Sequence, residues 1–536
     1  MSMPDPSRTS EPERTIGPGL DGETAPHEDD ASRLAMLDAW LDVPLTGRTS
    51  AVSRSDVTVH TSARDAFASF EAAVADCAGP DALVVVVGWS FHPSTHLTET
   101  ATVGSVLIDA AARGVPVRAL FTRFPAVRVG PLPGIRVGLA NNRAATAFVT
   151  ALPGGAAIHD GWLLHRDLAV AGGRLVNPVQ TGVHHQKVWI VRNGTELRAW
   201  CGGVDFNPNR TDYPDRTDYP DRTDYPERTD DPGRTRRAGR AGHPVRRRTA
   251  MHDVQAELTG PGAADLYAIV QERWNAHPRR PRRITLPPPP SAAIGAPSTP
   301  HRTRILTTYA DPRAYAGLGG PPYPFAPTGS TAVRDFLVHA IDRSQRFIYL
   351  EDQYLVDEEI ARHLAAAMPH LDALIMVISR SEEVSKELYQ VWDRRRRFLA
   401  HLAPHAAKVA TVASAQYVHA KTWVFDDEVA LVSSANVNRR SMTHDSEAGV
   451  AFGDVAGPGE VKRMRERLWA RHLGVAAPPV SVPPELSLGL WQSPPAGAPV
   501  ARYDATAGTD TTPVDPRIAR LFTPDAFWDQ VVDPGV

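Results

Sequence analysis

A chain of 536 residues is too long for one ordinary domain, and 42% hydrophobic with 22% charged residues is enough to build real cores. The formal net charge of -3 excludes a global attraction to nucleic acid or anionic membrane, so any such affinity must come from local patches. Two cysteines, Cys77 and Cys201, exclude a disulfide scaffold and leave cysteine-held zinc unsupported.

Residues 1–32 are polar, acidic and proline-containing, with no apolar signal-peptide core, and read as a disordered N-terminal segment. The apolar stretch Ala82 to Val87 is strand-length and far too short to span a bilayer. The expected location is therefore cytoplasmic, with peripheral contact to a membrane.

A first α/β half is expected over 33–277. Asp81 to Val87 reads as a buried strand, Val106 to Arg113 as a helix stopped by Gly114, and Val115 to Phe121 as the next strand. This alternation suggests a mostly parallel sheet with helices on its faces. The segment His184-His185-Gln186-Lys187-Val188-Trp189-Ile190-Val191 follows as a strand, then the Asn193-Gly194 hairpin signal and a strand ending at Gly202-Gly203. A low-complexity loop fills 210–248: Arg-Thr-Asp-Tyr-Pro begins at Arg210, Arg216 and Arg222, then an Arg/Gly-rich run extends from Arg234 to Arg248. A helix from Ala263 to Trp274 closes the half, and 278–300 form an Arg/Pro-rich linker.

The second half, 301–475, repeats the alternation. Helices are expected at Val333 to Arg343, Asp357 to Met368 and Arg463 to His472, and strands at Phe347 to Leu350, Ala373 to Ile378, from His419, and at Val429 to Ser433. The Pro-rich tail, 476–536, reads as irregular and docked through Leu521, Phe522, Phe527 and Trp528.

Two segments carry the chemistry. His185 and Lys187 precede Gly202-Gly203-Val204-Asp205; His419 and Lys421 precede Ser433-Ser434-Ala435-Asn436. Residues two apart on a strand share a face, so each segment offers an imidazole beside an ammonium. Two such pairs in one pocket suit an anionic phosphodiester. One imidazole can attack phosphorus, the other can move the proton, and two lysines can hold the equatorial oxygens. Nothing in this scheme requires a metal or another cofactor. One His-x-Lys is a worthless signal; two on apolar strands, each followed by a Gly/Ser-rich turn, are not.

The pattern resembles the phospholipase D superfamily, whose signature His-x-Lys-x4-Asp-x6-Gly-Ser-x-Asn occurs twice. His419, Lys421, Asp426, Ser434 and Asn436 match it closely, whereas the first copy has Arg192 at the Asp position and Asp205 in place of Asn. Gly88-Trp89-Ser90-Phe91, His252-Asp253-Val254 through Gly260-Pro261, Arg273-Trp274-Asn275, Glu351-Asp352-Gln353-Tyr354 and the Ser434 to Met442 segment with Glu447 are also similar to that family. The likeness covers about 33–475.

The resemblance implies two similar α/β/α-sandwich halves related by a pseudo-twofold, with the active site between them. It implies catalytic roles for His185, Lys187, His419, Lys421, Asp426 and Glu447, and phosphate binding by Asn436, Ser434 and Asp205. His185 is the better nucleophile and His419 the acid/base, though the near-symmetric sequence leaves the reverse open. Glu447 is expected to orient His419, with Asp212 the candidate partner of His185. Arg192 either faces solvent in the hairpin, the favoured reading, or crowds Lys187 and slows the enzyme.

The implied activity is phospholipase D-type: a glycerophospholipid at a membrane surface is cleaved to phosphatidate and head-group alcohol, or its phosphatidyl group is transferred. A cardiolipin synthase-like transferase, a nuclease and a weakened phospholipid- or polyanion-binding protein are the alternatives. The absent membrane segment, the lack of aromatics interleaved with the Arg-rich run, and the two intact His-Lys pairs weigh against these in turn. A nucleic acid partner is not expected. A monomer is, because one chain supplies both motifs.

Overall fold

Leu83–Gly88 and Ala373–Ser379 are apolar runs buried along their whole length, the pattern of strands covered on both faces. A computed structural model of the protein describes residues 28–79, 81–123, 126–127, 135–136, 140–162, 170–171, 174–175, 182–211, 250–281, 283–294, 300–311, 313, 322–384, 390–457, 459–475, 484–508 and 533. In it the two runs are inner strands of two seven-strand arrays.

Lobe 1 contains β1 (Ser53–His60), β2 (Leu83–Gly88), β3 (Val117–Thr122), β4 (Ala156–Asp160), β5 (Val188–Asn193), β6 (Glu196–Gly202) and β7 (Gln255–Thr259), ordered β4-β3-β2-β5-β6-β7-β1. Lobe 2 contains β8 (His301–Tyr309), β9 (Phe347–Asp352), β10 (Ala373–Ser379), β11 (Val409–Ser414), β12 (Thr422–Phe425), β13 (Val429–Ser433) and β14 (Glu447–Asp454), ordered β11-β10-β9-β12-β13-β14-β8. The orders correspond strand for strand. In each lobe the first three strands run parallel and the rest pair antiparallel. The lobes join where β1 meets β8, with Arg54 opposite Arg302. Equivalent strands pairing antiparallel at their first residues place an approximate twofold at that junction and make one continuous sheet.

The described helices longer than four residues are α1 (Glu28–Leu41), α2 (Ala63–Ala75), α3 (Val103–Ala112), α4 (Ala140–Ala151), α5 (Pro261–Ala276), α6 (Ala332–Arg343), α7 (Glu358–Ala367), α8 (Val391–Leu402), α9 (Arg439–Thr443), α10 (Glu460–Leu473) and α11 (Pro484–Gln492), besides 3-10 turns. The starts of α2, α3 and α7 are capped by short polar side chains: Ser62 accepts from the Asp65 N–H, Thr102 forms a capping box with Ser105, and Asp357 accepts from Glu359 and Ile360. One apolar core packs α2, α3 and α4 on lobe 1, and a second packs α1, α6, α7 and α8 on lobe 2. A third runs under both lobes through Trp274 of α5, Trp469 of α10 and Trp491 of α11. Each such side chain, fully buried, stabilises by about 1.5–3 kcal/mol.

Two expectations change. Helix α1 begins at Glu28, inside the stretch expected to be disordered, because Leu37, Trp40 and Leu41 bury against lobe 2. The tail expected to be irregular contains α11 and a strand, β15 (Val500–Arg502), which pairs antiparallel with the edge of β11. Residues 1–27, the repeat from 212 through 249, and Leu521, Phe522, Phe527 and Trp528 lie outside the described residues. No helix of the described residues is long and apolar enough to cross a membrane.

Candidate active site between the lobes

Neither His-x-Lys pair lies within its strand, as the sequence had suggested. Each sits in an extended lead just before it, and that lead pairs with the opposite lobe. Ahead of β5, the Ser446 N–H donates to Val183 O (2.8 Å) and the His185 N–H to Ser446 O (2.9 Å). Ahead of β12, the His252 N–H donates to Tyr417 O (2.8 Å) and the His419 N–H to His252 O (2.7 Å).

Buried charge pins the first lead. Asp160, at the end of β4, accepts from His184 Nδ1 (2.8 Å), Arg273 Nε (2.7 Å) and His277 Nε2 (3.0 Å). The adjacent Arg273 guanidinium holds the Asp160 carboxyl well below the usual range despite burial, and Arg273 also donates to Ser446 Oγ (2.9 Å). Stranding any one of these charges would cost about 3–5 kcal/mol.

The crossover decides which carboxylate serves which imidazole. His185 Nδ1 lies 3.0 and 3.1 Å from the two Glu447 oxygens, and His419 Nδ1 lies 2.8 Å from Asp253 Oδ2. Glu447 was expected to orient His419; it orients His185 instead, because the first lead runs beside Ser446. Asp212, the expected partner of His185, lies outside the described residues. Each carboxylate fixes the proton on Nδ1 and aims Nε2 into the cleft between the lobes.

Burial pushes both imidazoles well below the ordinary histidine range, helped by Lys187 and Lys421 at His185, and by Arg210 and then the lysines at His419. Both are therefore neutral at pH 7, with a lone pair at Nε2. Burial raises Glu447 to about 7 and Asp253 to about 6, against opposing pulls from nearby cations. Lys421 is lowered to about 8, chiefly by burial and with Lys187 adding to it.

Lys187 and Lys421 are both buried. Lys187 Nζ donates to His185 O (2.9 Å) and lies 3.6 Å from Asp205 Oδ2. Lys421 Nζ donates to His419 O and to Gln353 Oε1 (3.1 Å). Asn436 is buried with its Oδ1 unpartnered, which suits a side chain that meets a ligand.

Three expected roles do not fit. Asp205 accepts from the Trp89 and Ser90 N–H groups (2.9 and 3.1 Å); as a carboxylate beside Lys187 it anchors a turn and would repel a phosphate. The Ser434 hydroxyl is spent on Glu447 Oε2. Asp426 accepts from three backbone N–H groups, Gln345, Arg346 and Phe347 (2.8, 2.9 and 2.8 Å), in the β12–β13 turn. It sits at the opposite end of β12 from Lys421, roughly 16 Å away at about 3.3 Å per residue, so it is a turn tie.

Arg192 occupies the equivalent far end of β5 and donates to Gly194 O (3.2 Å) and Pro288 O (3.1 Å). The hairpin reading holds, and Arg192 does not reach Lys187.

The sequence named Asp253 only as part of a segment and missed Arg210 as a site residue. Arg210 is buried, with a guanidinium nitrogen 3.3 Å from His419 Nε2 and Nε 3.6 Å from Asp253 Oδ2. Trp89 packs edge-on against His185 at 4.9 Å. Aligning the halves would have found Asp253, since it and Glu447 both stand at the entry to equivalent strands, β7 and β14. Two imidazoles, two ammoniums and a guanidinium make a site for an anion.

Residues 383–488 match the family model described as "Phospholipase D". Over a 414-residue alignment the chain is 24% identical to phospholipase D alpha 1 of Brassica oleracea var. capitata and, separately, to that of Arabidopsis thaliana, in each case covering 57% of this chain and 51% of the relative. The chain thus spans about half the length of the curated relatives it matches. Among solved structures, phosphatidylserine synthase of Haemophilus influenzae Rd KW20 superposes with a TM-score of 0.49 at 11% identity, covering 84% of this chain and 96% of that one.

Proposed function

The chain belongs to the phospholipase D superfamily, and on that premise we propose that it cleaves phosphodiesters of glycerophospholipids through a phosphohistidine. The observation that carries this reading is the crossed pair of neutral imidazoles, each held at Nδ1 by a buried carboxylate of the other lobe, with Lys187 and Lys421 beside them.

His185 is the nucleophile. No described residue hydrogen-bonds its Nε2, whereas Arg210 occupies Nε2 of His419. His185 Nε2 attacks phosphorus and the bond from phosphorus to the head-group oxygen breaks. His419 gives that oxygen a proton. The incoming anion offsets the lysine charge and lets His419 carry that proton. Water or an alcohol then attacks the phosphohistidine, returns a proton to His419, and releases phosphatidate or a phosphatidyl alcohol. Lys187, Lys421 and Asn436 hold the equatorial oxygens, where charge gathers in the transition state. The set completes this cycle with its own acid, base and nucleophile.

Head-group release from phosphatidylcholine vesicles, with ethanol present, tests the proposal. Release together with phosphatidylethanol, lost in His185→Ala and His419→Ala, is the expected result. Absence of turnover on choline and other common head-groups would sink it and make DNA the next substrate. The reading carries with it a monomer that meets a membrane surface peripherally from the cytoplasm.

A further inference from the structure

Behind His419 lies a second polar cluster that the reaction does not use. His252 Nε2 is 2.5 Å from Glu351 Oε2, and His472 Nε2 is 2.9 Å from Glu351 Oε1. The three ligating atoms lie within 4.8 Å of one another, and all three residues are buried. His252 comes from lobe 1, just before β7; Glu351 from β9; His472 from α10. The two imidazole rings meet edge to face at 4.8 Å.

The pseudo-twofold makes this cluster informative. His252 and Ser446 are equivalent, each bridging the lead of the opposite lobe. His472 and Arg273 are equivalent too, standing equally far along α10 and α5 from the glycine caps Gly459 and Gly260. On the Arg273 side a permanent cation neutralises the buried Asp160 and reaches across to Ser446. On the His472 side the buried carboxylate of Glu351 has no Arg or Lys ion partner among the described residues, only the two imidazoles. A buried anion without a fixed cation is costly.

We propose that His252, Glu351 and His472 bind a zinc-class divalent ion that fastens lobe 1 to lobe 2. Two imidazoles and a carboxylate are a zinc ligand set, and their borderline-soft nitrogens favour zinc over magnesium or calcium. Tyr349, whose hydroxyl donates to Glu351 Oε1 (2.5 Å), steadies the carboxylate as an outer partner. The ion does no chemistry on substrate. It sets the position of the lead through His252, whose neighbour Asp253 holds His419.

The test uses the full-length protein expressed with zinc and dialysed free of loosely held metal. Elemental analysis is expected to find about one zinc per chain. Chelator should lower the melting temperature by several degrees, zinc should restore it, and magnesium should not. His472→Gln keeps an N–H donor for Glu351, so a purely hydrogen-bonded cluster survives it, but it should retain at least tenfold less zinc and lose the chelator response. Wild-type protein that holds no zinc and melts identically in zinc and chelator overturns the proposal, as does equal zinc retention by His472→Gln. Should that variant not fold, cobalt exchange into wild type decides: a visible absorption band is expected, and its absence overturns the assignment.

Discussion

The two lobes share a strand order but not a chemistry. Around His419, lobe 1 supplies Asp253 with Gly203 and Arg210; around His185, lobe 2 supplies Glu447 with Ser434 and Ser441 in the equivalent places. Glu447 accepts from the Ser434 and Ser441 hydroxyls, Oε1 taking Ser441 at 2.7 Å. The shorter Asp253 needs bare backbone beside it: a Cβ on Gly203 would lie 2.0 Å from Asp253 Oδ1. A symmetric scaffold thus holds the carboxylate behind one imidazole by neutral hydroxyls and leaves that imidazole's Nε2 open, and holds the other imidazole beside a guanidinium. The proposed division into nucleophile and acid/base rests on this difference, which the paired motifs alone do not show.

The largest effect that would break this comparison concerns the two histidines. His185→Ala should lose both turnover and phosphoenzyme, on the order of 10³-fold or more in kcat. His419→Ala should slow turnover comparably while still forming phosphoenzyme from a substrate with a good leaving group. Phosphoenzyme seen only in His185→Ala would reverse the assignment.

The orienting carboxylates come next. Asp253→Ala and Glu447→Ala should each cost about 10–100-fold in kcat/KM. In wild type, kcat/KM should fall on the acid side as Glu447 near 7 and Asp253 near 6 take up protons, and on the alkaline side as Lys421 near 8 loses its own. A flat profile from pH 5 to 9 would remove the electrostatic account.

Arg210→Gln should lower kcat/KM by roughly 10-fold and leave phosphoenzyme formation at His185 possible, because Arg210 hydrogen-bonds His419 and not His185. An equal loss of phosphoenzyme would mean that the lobes are not divided in this way.

Stability gives a smaller signature. Glu447 is raised in the folded state, so its contribution is full below the unfolded carboxyl range and is lost as pH rises through about 7. Glu447→Gln, which stays neutral, should therefore gain on wild type between pH 5 and pH 8, by up to a few kcal/mol. Thermal melts at the two pH values check the sign.

The smallest effect is expected at Arg192, the one apparent flaw in the first motif. Arg192→Asp should change activity less than about twofold and stability within ~0.5 kcal/mol. A substantial gain in activity would revive the idea of crowding at Lys187.

The alternating α/β halves, the two histidines and two lysines, and the likeness to the phospholipase D superfamily were legible along the chain, because periodicity and short motifs are local and survive in one dimension. Even the turn at Arg192 was legible, since Asn193-Gly194 states its geometry in two residues. Partnership between side chains came from the folded chain. Glu447 is near Ser434 in the chain, yet it serves an imidazole from the other half, because each lead crosses the interface before joining its own sheet. Asp426 looks catalytic by its spacing from Lys421, but spacing along an extended strand is distance, and it carries the carboxylate to the far end. Arg210, written in sequence as the first residue of a repeat, becomes part of the site only when Asp205, Asp253 and His419 close around it. Contacts between halves carry no periodic or motif signal, so no reading along the chain could have assigned them.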